Sequence, residues 1–385
     1  MYLPRFFALP ESSFFLFGPR GVGKSTFLKN HLPEAKWFDL LKADLERQFQ
    51  AFPERLWDYV SILPDGQTII IDEIQKVPAL LSVVHRLIEE KRNWRFILTG
   101  SSTRKLKRTG VDLLGGRALY CKLPPFFAHE LQSRFDSTHA LQFGMLPLIL
   151  NEPDPALKLQ AYISLYIKEE IQQEGLVRNL TDFSRFLEAI TFSHGSILNV
   201  SNISRECAVQ RKTVESYVSI LEDLLLSFRL PVFTHRAQRA LSSHPKFYFF
   251  DAGVFRSIRP VGPMDSPHEI EGAALEGLVA QHLQAWCDMT PGHRLYFWRT
   301  RAGNEVDFIL YGPLGFWAIE VKHAKKVYSK DLSGLKAFQA DYPHVTSVLL
   351  YCGGDRFFEH SIPCIPCFEF LKSIIPGKAL DIPTA

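Results

Sequence analysis

The feature that most constrains this chain is a glycine-rich loop, Gly18-Pro19-Arg20-Gly21-Val22-Gly23-Lys24-Ser25-Thr26. An apolar strand is predicted at residues 14–17 and a helix at residues 27–30, which is the strand–loop–helix context of a phosphate-binding loop. In such a loop the backbone N–H groups turn toward a phosphate, and the helix N-terminus adds positive partial charge. We therefore predict that all nine loop residues bind ATP, that Lys24 reaches its β- and γ-phosphates and that Ser25 holds Mg²⁺.

An acidic pair follows at the end of a second predicted strand. Residues 68–71 form the β-branched run Thr-Ile-Ile-Ile, which is expected of a central parallel strand. Asp72 at its end can hold Mg²⁺ directly or through water, and Glu73 can act as the general base that polarises the attacking water. The pair could also be a helix cap, but the loop upstream favours the catalytic interpretation.

The chain has 385 residues and a net charge of +3. This length predicts two or three domains, and the small charge means that a nucleic-acid surface would be a local patch. No apolar run approaches the ~20 residues that cross a bilayer. The first residues do not read as a signal peptide, because Glu11 follows soon and no small-residue cleavage site appears. We expect a cytoplasmic protein without a membrane partner.

A third predicted strand, at residues 95–98, ends in small polar residues. Here the chain resembles the AAA+ ATPases, whose first sensor residue sits at this strand end and responds to the γ-phosphate. The resemblance implies a sensor among Thr99, Ser101 and Ser102, and we favour Ser101. The second sensor arginine of many AAA+ lids has no clear match.

The same resemblance gives a role to Arg117, which follows two glycines and precedes an apolar strand at residues 118–123. In AAA+ proteins an arginine at this position enters the nucleotide site of the neighbouring subunit, where it neutralises charge on the transferred phosphoryl group. This implies self-association into a ring, which we expect to be a hexamer. A surface arginine is the alternative.

The middle of the chain predicts helices. After a proline break, residues 139–182 are expected to form a helical lid, and residues 183–240 a winged helix whose third helix begins at Arg211. Arg211, Lys212 and Thr213 would face outward and, together with Arg236 in the wing, would contact DNA. Winged helices also serve as spacers and oligomer contacts, so that alternative stays open.

A second acidic set lies far downstream. Asp307 sits on a predicted strand, and Glu320 and Lys322 share one face of the next strand because side chains alternate along it. Asp307 and Glu320 could converge on a second Mg²⁺, with Lys322 positioning water. This set resembles that of the PD-(D/E)XK nuclease-like fold, which implies an accessory acid at Glu276. Arg299 and Arg301 nearby suit a phosphate backbone. A nuclease fold that binds without cutting is the alternative.

The order of motifs resembles, over nearly the whole chain, prokaryotic AAA+ ATPases whose C-terminal half is a domain of unknown function. The motifs are Tyr2 with Arg5, Gly18–Ser25, Asp72–Gln75, Thr99–Ser102, Gly116-Arg117, Lys246–Gly253, Glu305–Phe308 and Glu320–Lys322. The resemblance implies an α/β protein with an AAA+ P-loop core at 1–138, the helical lid at 139–182, the winged helix at 183–240 and a nuclease-like α/β domain at 241–385.

Two functions fit this architecture. The first is Mg²⁺-dependent ATP hydrolysis by an oligomer that binds and remodels or translocates DNA, with the C-terminal domain gripping or cutting it. The second is an ATP-driven signalling or defence switch whose C-terminal domains bind a protein partner. A weaker third is a nuclease regulated by ATP.

Overall fold

The chain forms two compact units in a computed structural model that describes residues 2–102, 114–167, 171, 177, 179–235, 237, 239–242 and 244–383, without the side chains of 165–167. The N-terminal unit comprises Phe7–Pro124 and Ile220–Leu225. The C-terminal unit comprises the residues up to Phe6, Pro125–Ser219 and the chain from Leu226 onward. In the described part of the chain, we find no helix both long and apolar enough to cross a membrane.

The N-terminal unit is built on a five-stranded parallel sheet. Its strands are β1 (Phe14–Phe17), β2 (Lys36–Asp39), β3 (Thr68–Asp72), β4 (Arg95–Gly100) and β5 (Leu119–Lys122), and its helices are α1 (Lys24–His31), α2 (Ala43–Ala51), α3 (Arg55–Ser61) and α4 (Leu80–Glu89). The strand order is β2-β3-β4-β1-β5, and every neighbouring pair is parallel. The apolar runs of β1 and β3 are buried because a parallel sheet is covered on both faces. The α/β prediction for the core is confirmed.

A helical region opens the C-terminal unit. It contains α5 (Ala128–Leu131), α6 (Ser137–Phe143), α7 (Pro147–Leu150), α8 (Pro155–Ala161), α9 (Leu180–Thr191), α10 (Val200–Glu206) and α11 (Arg211–Asp223). Phe183 and Phe186 on α9 pack against Tyr217 on α11, with ring centroids 5.0 and 5.2 Å apart. Three antiparallel strands, β6 (Ser196–Ile197), β7 (Ser227–Leu230) and β8 (Lys246–Phe249), form a small sheet in the order β6-β8-β7. Tyr217 on α11 is therefore buried.

A six-stranded mixed sheet forms the rest of the C-terminal unit. Its strands are β9 (Arg294–Arg299), β10 (Glu305–Gly312), β11 (Gly315–Lys322), β12 (Thr346–Tyr351), β13 (Phe357–Glu359) and β14 (Ile362–Pro366), in the order β13-β14-β12-β11-β10-β9. The accompanying helices are α12 (Ala252–Ile258), α13 (Pro267–Met289), α14 (Ser333–Asp341) and α15 (Cys367–Ser373). Apolar side chains of α13 pack with Phe308 and Ile319, whereas those of α14 pack with Val306 and Ile309.

Strand β10 carries an irregularity beside Asp307. Val306 pairs with Trp298 on β9, but Ile309 pairs with Tyr296, so β10 holds one extra residue between these pairs. Such a bulge bends a strand and redirects the side chains within it. Asp307 lies inside the bulge.

Two motif residues of the family resemblance have structural roles. Arg5 forms a buried ion pair with Glu130, with Nε and Oε2 3.2 Å apart. Asp251 accepts hydrogen bonds from the N–H groups of Gly253 (2.9 Å) and Val254 (3.1 Å) and so caps α12. Its other oxygen accepts the N–H of Met145 at 2.7 Å. These residues hold the C-terminal unit together.

Candidate nucleotide site and C-terminal acidic cluster

The predicted nucleotide-binding groups meet at one edge of the parallel sheet. The loop follows β1, whereas Asp72 and Thr99 end β3 and β4, and β4 lies between β1 and β3. Ser25 Oγ donates a hydrogen bond to Asp72 Oδ2 at 2.8 Å, and Thr99 Oγ1 donates to Asp72 Oδ1. A hydroxyl beside a carboxylate is an oxygen set that suits Mg²⁺, so these residues fit that ion.

Glycine is required in the loop for two different reasons. Gly21 and Gly23 have φ angles of 83° and 87°, in the left-handed region that other residues avoid. A Cβ on Gly18 would come within 2.5 Å of the Leu123 carbonyl oxygen. The loop therefore combines two sharp turns with a close approach to the residue that follows β5.

The Lys24 side chain lies along the loop that it follows. It is only 5% exposed, and its Nζ donates to the carbonyl oxygen of Gly18 at 2.7 Å. The ammonium is therefore held beside the backbone groups expected to surround a phosphate.

Burial changes the acidity of Asp72. Desolvation raises its pKa above the ordinary value, and the neighbouring Glu73 charge adds to this shift, while hydrogen bonds from Thr99 and Ser25 and the charge of Lys24 oppose it. A desolvated carboxylate gains from a nearby cation. This environment therefore favours a cation beside Asp72.

Glu73 is held by a small polar network. It has a φ of 60°, and its N–H donates to Thr99 Oγ1 at 3.1 Å. Gln75 Nε2 donates to the Glu73 carboxylate and to Ser101 Oγ at 3.1 Å. Ser101 Oγ lies 3.4 Å from Glu73 Oε2. Ser101 thus contacts the predicted base, whereas Thr99 contacts Asp72.

Sequence reasoning did not select Gln75 as a site residue. A short 3-10 turn, Ile74–Lys76, brings its amide back toward Glu73. The only signal was its place in the Asp-Glu-Ile-Gln motif.

Arg117 pairs with a residue of its own unit. Its Nε donates to Glu89 at the end of α4, and its side chain is 39% exposed. The guanidinium lowers the pKa of Glu89 through this hydrogen bond and its charge.

The predicted DNA-binding residues lie at separate places. Arg211 and Lys212 are exposed in the first turn of α11, and Thr213 is half-buried. Arg299 Nη1 pairs with Glu305 at 2.9 Å, and Arg301 is exposed. Arg236 lies outside the described residues.

The C-terminal acidic residues do come together. We use the name acidic cluster for Glu276, Glu305, Asp307 and Glu320. Asp307 Oδ2 accepts the N–H of Val321 at 3.0 Å, and Lys322 Nζ donates to Glu320 Oε1 at 2.6 Å.

Sequence reasoning placed Lys246 in a motif of the family resemblance but did not identify it as the cation at the centre of the acidic cluster. Lys246 on β8 is 2% exposed, and its Nζ lies 3.1 Å from Glu276 Oε1, 2.7 Å from Glu305 Oε1 and 3.1 Å from Asp307 Oδ1. Tyr248, two residues along the same strand, donates to Glu276 Oε1 at 2.6 Å. A lysine and a tyrosine on one face of an apolar strand were the available signal.

Burial dominates the electrostatics of the acidic cluster. Desolvation raises the pKa of Glu276 to about 7 and that of Glu320 to about 8. Glu320 Oε2 is buried without a hydrogen-bond partner. Across the described residues, no group of three or more His, Cys, Asp or Glu side chains is arranged to hold a metal ion.

Comparison with protein families divides the chain into three segments. Residues 11–132 match a family described as an AAA domain, residues 119–265 match a domain of unknown function (DUF8612), and residues 271–370 match another (DUF4143). The N-terminal segment therefore matches an AAA domain. An AAA domain followed by a domain of unknown function is the order that the motifs predicted.

An uncharacterized protein of Haemophilus influenzae is 23% identical over 205 residues, which cover 49% of this chain and 51% of that protein. The chain thus spans about half the length of this curated relative. ORC2 of Aeropyrum pernix, solved in its ADP form, is 14% identical over 70% of this chain and 88% of its own, with a TM-score of 0.28.

Replication initiator DnaA, solved with AMPPCP and single-stranded DNA, is 11% identical over 55% of this chain and 82% of its own, with a TM-score of 0.27. TM-scores this low do not establish a common fold. The identification of an AAA domain at residues 11–132 therefore rests on the family match and on the geometry of the phosphate-binding loop.

Proposed function

We propose that the N-terminal unit hydrolyses ATP with Mg²⁺ and that this hydrolysis drives a self-associated ring that acts on DNA. The observation that carries the proposal is the hydrogen-bonded set of Ser25, Asp72 and Thr99 at the sheet edge beside the phosphate-binding loop. A solitary glycine loop would support nucleotide binding alone. A carboxylate and two hydroxyls beside it supply the groups that hydrolysis needs.

Each residue has a distinct task in this scheme. Lys24 and the loop N–H groups hold the phosphates, and Ser25 and Asp72 hold Mg²⁺, which would neutralise charge on the phosphate oxygens. Glu73 accepts a proton from the attacking water. Gln75 and Ser101 keep the Glu73 carboxylate in a fixed direction, because both contact its Oε2.

Arg117 completes the site from a neighbouring subunit in this proposal. Arg117 precedes β5 and is partly exposed, and it forms an ion pair with the exposed Glu89. Ion pairs between exposed side chains contribute little to stability, so a neighbouring nucleotide can compete for the guanidinium. The proposed assembly is a ring, for which a hexamer is the expected size.

DNA contact is proposed at the N-terminal end of α11. The described part of residues 180–249 contains three helices and a three-stranded antiparallel sheet in chain order helix, strand, helix, helix, strand, strand. This order supports a winged-helix fold whose last strand, β8, lies beyond the predicted boundary at residue 240. Arg211 and Lys212 extend from the exposed start of its third helix. In helix-turn-helix proteins this part of the helix contacts the major groove.

The test is an ATPase assay with and without single-stranded, duplex and branched DNA. DNA should stimulate turnover, and binding should weaken as salt rises. Arg211→Ala with Lys212→Ala should reduce both effects. Lys330→Ala with Lys378→Ala removes the same charge from exposed positions outside α11 and should leave them unchanged.

Two results would contradict the proposal. Normal turnover in Lys24→Ala would remove the assigned nucleotide site. Turnover that DNA does not affect, with no retention on DNA at low salt, would favour the alternative of an ATP-driven switch with a protein partner.

A further inference from the structure

We propose that Lys246 is a built-in cation of the acidic cluster, so that the C-terminal unit holds no divalent metal there and does not cut DNA through metal catalysis. The inference goes beyond the proposed ATPase function and does not depend on it. It also reverses the sequence-based expectation of Mg²⁺ at Asp307 and Glu320.

The ammonium of Lys246 is fully engaged. Three carboxylate oxygens surround it at 2.7–3.1 Å, one from α13 and two from β10. An ammonium has three N–H donors, so one donor is available for each carboxylate. One oxygen each of Glu276, Glu305 and Asp307 therefore binds this group instead of a metal.

A divalent ion would meet strong repulsion at this position. To bind Asp307 or Glu276 it would lie roughly 2.0–2.6 Å from an oxygen, and both residues already contact Lys246 at 3.1 Å. Like charges at such short range repel, most strongly where water is excluded. The ammonium of Lys246 thus supplies positive charge to the site and disfavours the binding of a second cation.

Two of the remaining carboxylate oxygens also have cationic partners. Arg299 Nη1 pairs with Glu305 Oε2 at 2.9 Å, and Lys322 pairs with Glu320 Oε1 at 2.6 Å. Glu320 Oε2 has no hydrogen-bond partner among the described residues. Protein groups therefore provide much of the neutralisation that a metal would supply in a nuclease site.

Lys246 cannot easily leave the acidic cluster. It lies on β8, the central strand of the three-stranded sheet, with β6 on one side and β7 on the other. Its side chain is 2% exposed, and Nζ lies 5.7 Å from the centre of the Phe297 ring. Withdrawing the ammonium would remove the cation from beside the buried Asp307 and the half-buried Glu276 and Glu305, which is costly.

The experiment titrates the full chain with Mn²⁺ and detects free Mn²⁺ by electron paramagnetic resonance. All proteins carry Asp72→Asn, which disables the other predicted metal site. The protein that carries only Asp72→Asn is the parent, and it should show no Mn²⁺ binding that depends on Asp307. Adding Lys246→Ala leaves the carboxylates without their cation and should create a Mn²⁺ site, which a further Asp307→Asn removes.

Three controls complete the design. Lys246→Arg keeps the positive charge and should gain no Mn²⁺ site. Lys246→Ala with Glu305→Gln removes one carboxylate along with the ammonium and serves if the single variant does not fold. A DNA cleavage assay with Mg²⁺ and Mn²⁺ should show no Asp307-dependent cutting by the wild-type chain.

The outcomes are separable from those of the ATPase proposal, which Lys24→Ala turnover decides. Parent binding of Mn²⁺, or wild-type cleavage, that is lost in Asp307→Asn would overturn the inference. A folded variant that lacks Lys246 and still gains no Mn²⁺ site would also overturn the inference. Lys246 would then not occupy a position where a metal can bind.

Discussion

Ser25 and Asp72, 47 positions apart, are joined by a hydrogen bond of 2.8 Å from Oγ to Oδ2. The bond brings the start of α1 to the end of β3, and both groups are predicted ligands of one Mg²⁺. We expect Asp72→Asn to lower kcat at least 100-fold, about 2.7 kcal/mol of barrier, because an amide loses the negative charge that holds the metal.

Steady-state turnover against Mg²⁺ concentration measures this effect. Ser25→Ala should also weaken Mg²⁺ dependence. Ser82→Ala, whose exposed hydroxyl bonds only the Ala79 carbonyl at 2.8 Å among the contacts described, is the matched control and should behave as wild type. Near-normal turnover in Asp72→Asn would exclude it as a metal ligand.

Gln75→Ala should lower kcat about 10-fold, or about 1.4 kcal/mol, with little change in KM. Its amide contacts Glu73 and Ser101 but not the phosphate-binding loop, so the base should lose its direction while nucleotide binding persists. Gln67→Ala is the matched control and should behave as wild type, because the Gln67 amide donates to an exposed backbone carbonyl.

Arg117→Ala should lower turnover by 10³-fold or more if the residue acts as an arginine finger. A mixture of Arg117→Ala and Lys24→Ala subunits should recover part of the activity, because some interfaces then combine an intact loop with an intact arginine. Glu89→Ala, which removes the partner of Arg117 within its own chain, should not reduce turnover. Failure of the mixture to recover any activity would contradict a shared site.

Two buried histidines should make the C-terminal unit sensitive to acid. Burial lowers the pKa of His282 to about 4 and that of His194 to about 3. Between these values and the ordinary value near 6.5, the unfolded chain binds more protons than the folded one. The free energy of unfolding therefore falls as pH decreases through this window, by at most about 1.4 kcal/mol per pH unit for each histidine.

Denaturant unfolding from pH 7 to pH 4 measures this slope. His282 accepts the Ala128 N–H at 2.9 Å and contacts the Leu278 carbonyl, so His282→Gln should be less stable at pH 7 but flatter with pH. The raised pKa values of Glu276 and Glu320 act in the opposite direction, and the difference between variant and wild type removes their contribution.

Local sequence patterns were sufficient for much of the nucleotide site. The loop at Gly18–Thr26 and the strand ending in Asp72 are each defined by a few consecutive residues, and the structure brings them together. Alternation along β11 also placed Glu320 and Lys322 side by side. These features depend on spacing that a single segment contains.

The remaining features depend on contacts between distant segments. Lys246 is 30 positions from Glu276 and 61 from Asp307, and its own strand reads as an ordinary apolar run. The bulge at Asp307 also could not be predicted from the sequence, because it depends on which residues of β9 and β10 pair. Gln75 reaches Glu73 only through a tight turn.

Strand β8 has a consequence for how the C-terminal unit unfolds. Its backbone pairs with β6 and β7, while its Lys246 side chain binds carboxylates on α13 and β10. The two sheets are therefore joined through one side chain of β8 and should lose amide-exchange protection together, in a single cooperative transition. A fragment cut at residue 240 would deprive one sheet of its central strand, so neither half should fold alone.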